Sequence, residues 1–215
     1  MANRRRISAC LGDFDKEIKR LRSIKFHSQS NLNISLGRPK KNYITKRQMH
    51  LIQESTYFAT FRTFENFIEE IFLLYCMGKR SQSGTHGIPY LAPTTYAHAA
   101  DMIKSSQQFL DWSSPDIIIE RSELYLKDGE PFKLVISSNI NKLRSYKHLR
   151  NHIAHNSNQS RINYLKVLNN FLRTVPTTIP TPGEFLSMND PRHVGNTFLD
   201  SFIDDFERIA ITLAE

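Results

Sequence analysis

The sequence has few cysteines and no long apolar run. Its two cysteines, Cys10 and Cys76, are far apart and belong to no CxxC pair. Two isolated cysteines are typical of reduced thiols. They argue against a disulfide framework or a cysteine-rich metal site. No stretch of about 18 apolar residues, the length that a membrane span requires, occurs in the chain. The basic start is followed by an apolar stretch too short for a secretory signal. We therefore expect a cytoplasmic protein that does not enter a membrane.

Acidic residues are absent from one long window of the chain. Between Pro131 and Gly183 there are eight Lys or Arg residues, three His residues and no Asp or Glu. A second basic region covers residues 1–50, with 13 Lys or Arg residues and three Asp or Glu residues. The remaining residues, 51–215, carry 16 Lys or Arg residues and 18 Asp or Glu residues. Basic surfaces attract polyanions and favour phosphate contacts. We interpret the acid-free window as a surface for RNA, although a merely solvated basic surface stays open on charge alone.

Strand patterns are scarce, and only residues 116–119 and 133–136 could form short β-strands. Elsewhere apolar residues recur at spacings of three and four, which is typical of amphipathic helices. The sequence thus predicts an all-α fold with long loops, made of a basic N-terminal helix and loop (1–44) and a helical bundle (45–215). We predict helices at 7–26, 45–78, 94–110, 115–126, from 132 or 139 to 156, 160–173 and 197–214. The helix at 160–173 is expected to bury Ile162, Leu165, Leu168, Phe171 and Leu172.

The segment KHLRNHIAHN, residues 147–156, concentrates three histidines and two cations on one predicted helix. An α-helix turns about 100° per residue, so each side chain can be assigned a place on the circumference. Tyr146, Leu149 and Ile153 fall on one side, which we expect to be buried. The polar side chains fall on the opposite side and comprise Arg144, Lys147, His148, Arg150, Asn151 and His155.

The polar side of this helix suits a phosphodiester. Histidine has a reference pKa of roughly 6.5, so His155 could take a proton from a ribose hydroxyl or give one to a leaving oxygen. Arg150 lies about 7.5 Å away along the helix axis and could pair with the charged phosphate oxygens. Asn151 could fix the tautomer of His155 or hold a phosphate. RNA supplies its own nucleophile, the 2′-hydroxyl, so no metal and no cofactor is required.

Two other interpretations of the histidines remain open. The polar side could simply be solvated. Alternatively, His148, His152 and His155 have the i,i+4 and i,i+3 spacings of zinc ligands. Against zinc, His152 lies near about 200° when Arg150 is set to 0°, away from the centre of the polar side. No Asp, Glu or Cys follows that could complete the ligand set.

The residues RNHIAH, from Arg150 to His155, match the R-x4-6-H signature of the HEPN superfamily, and LRNHIAHN resembles the RN-x-x-AH form common there. The resemblance covers about residues 45–173, or 45–214, and leaves out the first 44 residues. It implies an all-α bundle that dimerises through its signature helices, so that two copies form one composite cleft. It also implies that Arg150 and His155 are the catalytic pair, with Asn151 as the polar residue after the arginine. In some members an acidic or polar residue on the long early helix orients the pair, and Glu65 is the candidate here, although a solvent-facing charge at this position stays open.

The resemblance implies a metal-independent endoribonuclease of a toxin–antitoxin or phage-defence system. As a homodimer it would hold RNA through Arg144 and Lys147, with His148 as a supporting residue. Two alternatives stay open. The same face could bind RNA or a nucleotide without turnover, as a non-catalytic HEPN module, or it could receive an acidic regulatory partner such as an antitoxin.

Overall fold

The structure is a computed structural model and describes residues 5–35, 44–84, 87–105, 110–155, 157–172, 174 and 177–215, with residues 32–35 described by their backbone alone. The described part of the chain is all-α, as predicted. It contains nine α-helices and two isolated β-bridges but no sheet. No helix in these ranges is long and apolar enough to cross a membrane.

The helices follow one another with mostly short connections. A 3-10 turn, Lys127–Gly129, joins α4 to α5. The bounds are α1 Ile7–Ser35, α2 Lys46–Cys76, α3 Tyr96–Lys104, α4 Pro115–Tyr125, α5 Phe132–Ser138, α6 Ile140–His155, α7 Asn158–Phe171, α8 Pro182–Ser187 and α9 Phe198–Ala214.

Several helix starts lie where capping signals occur in the sequence. The backbone N–H of Gln48 donates to Thr45 Oγ1 at 3.3 Å, and the N–H of Thr45 donates to Gln48 Oε1 at 2.8 Å. This reciprocal pair is a capping box, and it starts α2 where the sequence predicts a helix. Helix α4 begins at Pro115, also as predicted, because proline has no N–H to leave unbonded in a first turn.

Other predicted bounds were wrong. Helix α1 continues to Ser35, although the Ser- and Asn-rich residues 27–35 were predicted to be a loop. Helix α8 lies inside the segment 174–196, where no helix was predicted. By contrast, residues 116–119 and 133–136, which could also have formed short strands, are helical, in agreement with the helices predicted there. Helix α3 ends at Lys104, before the end predicted at residue 110, and residues 106–109 of that prediction lie outside the described residues.

The chain divides into two compact units. The first comprises Met1–Asp15, Thr63–Arg144 and Phe206–Glu215, and the second comprises Lys16–Arg62 and Ser145–Asp205. Helices α1, α2, α6 and α9 each contribute residues to both. This division does not test the boundary expected near residue 44, which stays a prediction.

The first unit has an aromatic core around α2. The ring of Phe72 lies 5.1 Å from that of Trp112 and 4.9 Å from that of Phe132, measured between ring centroids. The hydroxyl of Tyr75 donates to the backbone carbonyl of Leu213 at 2.7 Å. These contacts fix the C-terminal half of α2 against α5 and the end of α9.

The second unit has its own aromatic core, which holds the C-terminal part of α6. The rings of Phe185 and Phe198 are stacked at 4.6 Å, and that of Phe202 lies 4.9 Å from Phe171. Tyr146 of α6 completes this cluster, with its ring 4.6 Å from that of Phe202. All five side chains are buried, so each removes a large apolar surface from water.

Candidate functional site

Tyr146 anchors the signature helix α6 in the second unit. Its hydroxyl donates to Asp205 Oδ2 at 2.6 Å, and its backbone carbonyl accepts a hydrogen bond from the hydroxyl of Tyr57 at 2.8 Å. Burial raises the pKa of both phenols well above the ordinary value, so both hydroxyls keep their protons and act as donors. The buried side of α6 is thus held by hydrogen bonds as well as by packing.

The two sides of α6 differ in exposure. Tyr146 and Leu149 are fully buried, as predicted, whereas Ile153 is half-buried. The polar side chains from Lys147 to Asn151 that were predicted to face outward are half-buried, and His155, the last residue of the helix, is exposed. The polar side is therefore accessible along its length in the second unit.

Arg150 is held from two directions. Its guanidinium carbon lies 5.3 Å from the centroid of the Phe58 ring, within the range of a cation–π interaction. Its Nη1 donates to Asn151 Oδ1 at 3.1 Å. Both contacts orient the guanidinium. Phe58 was not among the residues predicted for the site, because it precedes Arg150 by 92 positions and no local pattern links the two.

The observed partner of the Asn151 side chain is Arg150, whereas the predicted partners were His155 or a phosphate. Its side-chain oxygen accepts from Arg150, which leaves its NH₂ group as a donor for a phosphate or a base. This contact makes Asn151 a residue that positions Arg150. Its proposed contact with His155 or with phosphate stays a prediction.

His148 lies on the α7 side of the polar face of α6. Burial lowers its pKa, and the nearby charges of Lys166 and Lys147 lower it further. A neutral imidazole at neutral pH can accept a proton, which is compatible with the supporting role predicted for His148. Lys166, on α7, was likewise not predicted for the site, because it follows His148 by 18 residues in the sequence.

His152 joins α6 to α7 and belongs to the fold. Its Nδ1 lies 3.1 Å from Ser160 Oγ, and its ring stacks on that of Tyr164 at 4.7 Å. Because Ser160 Oγ donates to the carbonyl of Ser157 at 2.8 Å, it accepts the proton on Nδ1 of His152. Burial, followed by the charge of Arg161, lowers the pKa of His152. In the described ranges no group of three His, Cys, Asp or Glu residues could hold a metal ion.

Two predicted residues belong to the first unit. Glu65 is half-buried on α2. Arg144 is exposed near the start of α6, and it pairs with Asp116 through Nη2 at 2.5 Å and Nε at 3.2 Å. Asp116 lies outside the acid-free window, so no sequence pattern indicated this pair. A phosphate at Arg144 would have to compete with this carboxylate, and the roles of both residues stay predictions.

Part of the N-terminal positive charge is also paired. In the second unit Arg22 bonds Asp204 at 2.5 Å and Lys25 bonds Asp200 at 2.5 Å. Lys25 is largely buried, and its ammonium helps to lower the pKa of Asp200. These cations stabilise the packing of α1 on α9, so they are weaker candidates for RNA contacts than the charge count suggested.

An open cavity of about 890 Å³ lies elsewhere in the second unit, at the start of α2. Its two carboxylates serve the fold, since Glu54 accepts the N–H of Gly183 and Glu184 caps α8 through Thr181. None of the predicted site residues lines it. The lining residues are Thr45, Lys46, Arg47, Gln48, His50, Leu51, Glu54, Thr181 and Glu184.

Comparisons with known proteins add no relative. No protein-family model, no curated protein and no solved structure matches the chain. The HEPN resemblance therefore stays a prediction that rests on residues 150–155 and on the order of the helices.

Proposed function

We propose that the protein is a metal-independent endoribonuclease of the HEPN type, which cleaves RNA through the ribose 2′-hydroxyl. The polar side of α6 supports this proposal. It offers the guanidinium of Arg150, two imidazoles and an amide on an accessible surface, and its sequence window contains no acid. The observation that carries the proposal is the contact of Arg150 with Phe58 and Asn151, which orients the guanidinium on the polar side of α6.

The reaction requires two proton transfers and one site of charge stabilisation. The 2′-oxygen attacks phosphorus and loses its proton to an imidazole, while the bond from phosphorus to the 5′-oxygen breaks and that oxygen takes a proton. The products are a 2′,3′-cyclic phosphate and a 5′-hydroxyl. His155 serves as base or acid, and Arg150 stabilises the negative charge that develops on the phosphate oxygens.

The proposal includes a homodimer with a composite site. A second copy of α6 would bring a second His155 to the same phosphate, so that one imidazole acts as base and the other as acid. His148, which lies on the same helix face, would assist binding in its neutral form. A toxin–antitoxin or phage-defence role follows from the resemblance, and an antitoxin would be the partner that covers this face.

The proposal is tested by cleavage of single-stranded RNA in the presence of EDTA. Arg150→Ala and His155→Ala are each expected to lower the rate by about 100-fold or more. Arg208→Ala and His98→Ala replace exposed residues of the same types on α9 and α3 and serve as matched controls. Thermal unfolding followed by circular dichroism establishes that each variant is folded.

The result that would reject the assignment is full cleavage by folded Arg150→Ala or His155→Ala protein. RNA binding that weakens with salt, without any cleavage product from the wild type, would instead favour the non-catalytic binding module.

A further inference from the structure

Helices α6 and α7 form an antiparallel pair in the second unit. His152, near the end of α6, contacts Ser160 and Tyr164 near the start of α7. Ser145, ten positions from the end of α6, accepts a hydrogen bond from Asn170 Nδ2 near the end of α7, at 3.2 Å. Position along α6 therefore rises as position along α7 falls, which brings the polar face of α6 beside one flank of α7.

That flank of α7 carries a polar stripe. Its four residues, called here the α7 stripe, are spaced by four, three and four positions and so lie within about 60° of one another on the helix. Three of them are exposed and Asn163 is half-buried. The members of the α7 stripe are Gln159, Asn163, Lys166 and Asn170.

Contacts within the stripe place it next to the candidate site. Lys166 Nζ donates to Asn163 Oδ1 at 3.3 Å, while Asn170 reaches Ser145 of α6. His148 follows Ser145 by three positions and precedes His152 by four, so it lies on the flank of α6 that faces α7. The stripe and the polar face of α6 thus border a continuous surface, and the sequence from Pro131 to Gly183 that forms it contains no acid.

We infer that the α7 stripe binds single-stranded RNA and leads it to Arg150 and His155, with Lys166 on a backbone phosphate and Gln159 and Asn163 on base edges. This inference rests on the proposed function. The chemistry favours RNA over an acidic peptide. The side-chain amide of a glutamine or an asparagine both donates and accepts, as base edges require, whereas carboxylates would be bound better by cations, and only one of the four residues is a cation.

The test uses the full-length His155→Ala chain, so that bound RNA stays intact, and measures fluorescence anisotropy of a labelled mixed-sequence RNA at several salt concentrations. Lys166→Gln is expected to weaken binding roughly two- to tenfold, the worth of one exposed hydrogen bond. It should also reduce the slope of log K against log salt by about 0.7, since one phosphate contact is lost. Asn163→Ala should weaken binding but leave the slope unchanged, because an amide carries no charge.

Two controls make the result specific. Lys127→Gln removes an exposed lysine of the 3-10 turn, beside Asp128, and should leave both affinity and slope unchanged. Polyglutamate tests charge alone. The inference predicts that Asn163→Ala has no effect on polyglutamate binding, and an equal loss for both polymers would overturn the contact with bases.

Different results would overturn this inference and the proposed function. If Arg150→Ala weakens RNA binding but Lys166→Gln and Asn163→Ala do not, the stripe is not the RNA-binding surface, and the proposed function is untouched. If the chain with an intact stripe binds no RNA, both are overturned. An NMR titration of His148 checks that Lys166→Gln keeps the pairing of α6 with α7. The pKa of His148 is expected to rise in this variant, because a positive charge beside it is removed.

Discussion

Phe58→Leu tests whether an aromatic ring holds the guanidinium of Arg150 in place. The substitution keeps an apolar side chain of similar size on α2 but removes the ring face that lies 5.3 Å from the guanidinium carbon. A cation–π pair contributes about 0.5–1 kcal/mol when exposed and about 2 kcal/mol when desolvated. Both partners are half-buried, so we expect a coupling of about 1 kcal/mol.

This coupling can be measured in two ways. A double-mutant cycle of Phe58→Leu and Arg150→Met, followed by urea unfolding, gives the interaction free energy directly. In RNA cleavage, Phe58→Leu alone should lower kcat/KM by roughly fivefold, because about 1 kcal/mol of orientation is lost. Arg150→Ala should cost about 100-fold or more, because it removes the charged donor itself. A cycle that gives no coupling, together with an unchanged kcat/KM for Phe58→Leu, would refute the positioning role of Phe58.

Three further predictions follow from the same unit. Tyr146→Phe should lower the free energy of unfolding by about 1.5–3 kcal/mol, because the Tyr146 hydroxyl bonds a carboxylate. Tyr164→Phe should lower it by only about 0.5–1.5 kcal/mol, because the Tyr164 hydroxyl bonds a backbone carbonyl. Equal losses for the two variants in urea unfolding would contradict this. The lowered pKa of His152 means that the folded chain binds fewer protons than the unfolded chain, so stability should fall as pH drops below roughly 6.5, and His152→Gln should flatten that dependence in unfolding measured across pH. Adding an excess of inactive His155→Ala chain to the wild type should lower the cleavage rate, because a mixed dimer holds only one His155 at the shared phosphate, whereas an unchanged rate would count against a shared site.

The two-sided character of α6 could be predicted because it depends on local spacing. Tyr146 and Leu149 share a face by helical geometry alone, and the absence of acids on the other face can be seen in the sequence. The start of α8 was also predictable. Thr181 and Glu184 form a capping box with Pro182 at the first helical position, a signal that the surrounding prolines obscured.

The side of α7 that is buried could not be predicted from spacing alone, because it depends on the helices that pack against α7. Helix α7 has apolar residues on more than one side, and the predicted buried residue Ile162 is 51% exposed, while Tyr164 and Val167 are buried. The reason is that Tyr164 stacks on His152, a contact that orients α7 and that no single-helix pattern contains. The contacts of Arg150 with Phe58 and of Arg144 with Asp116 are of the same kind, because they join distant parts of the chain.

The most direct test of the central claim is the chemistry of the cleaved ends. Wild-type protein in EDTA is given an RNA of mapped cleavage position and the same RNA with a single 2′-deoxy sugar at that position, and the ends are identified by mass spectrometry. We predict fragments with 2′,3′-cyclic phosphate and 5′-hydroxyl ends from the first RNA and no cleavage at the deoxy position of the second. Cleavage at the deoxy position, or cleavage that occurs only when a divalent metal is supplied, would contradict attack by the 2′-hydroxyl at an Arg150 and His155 site.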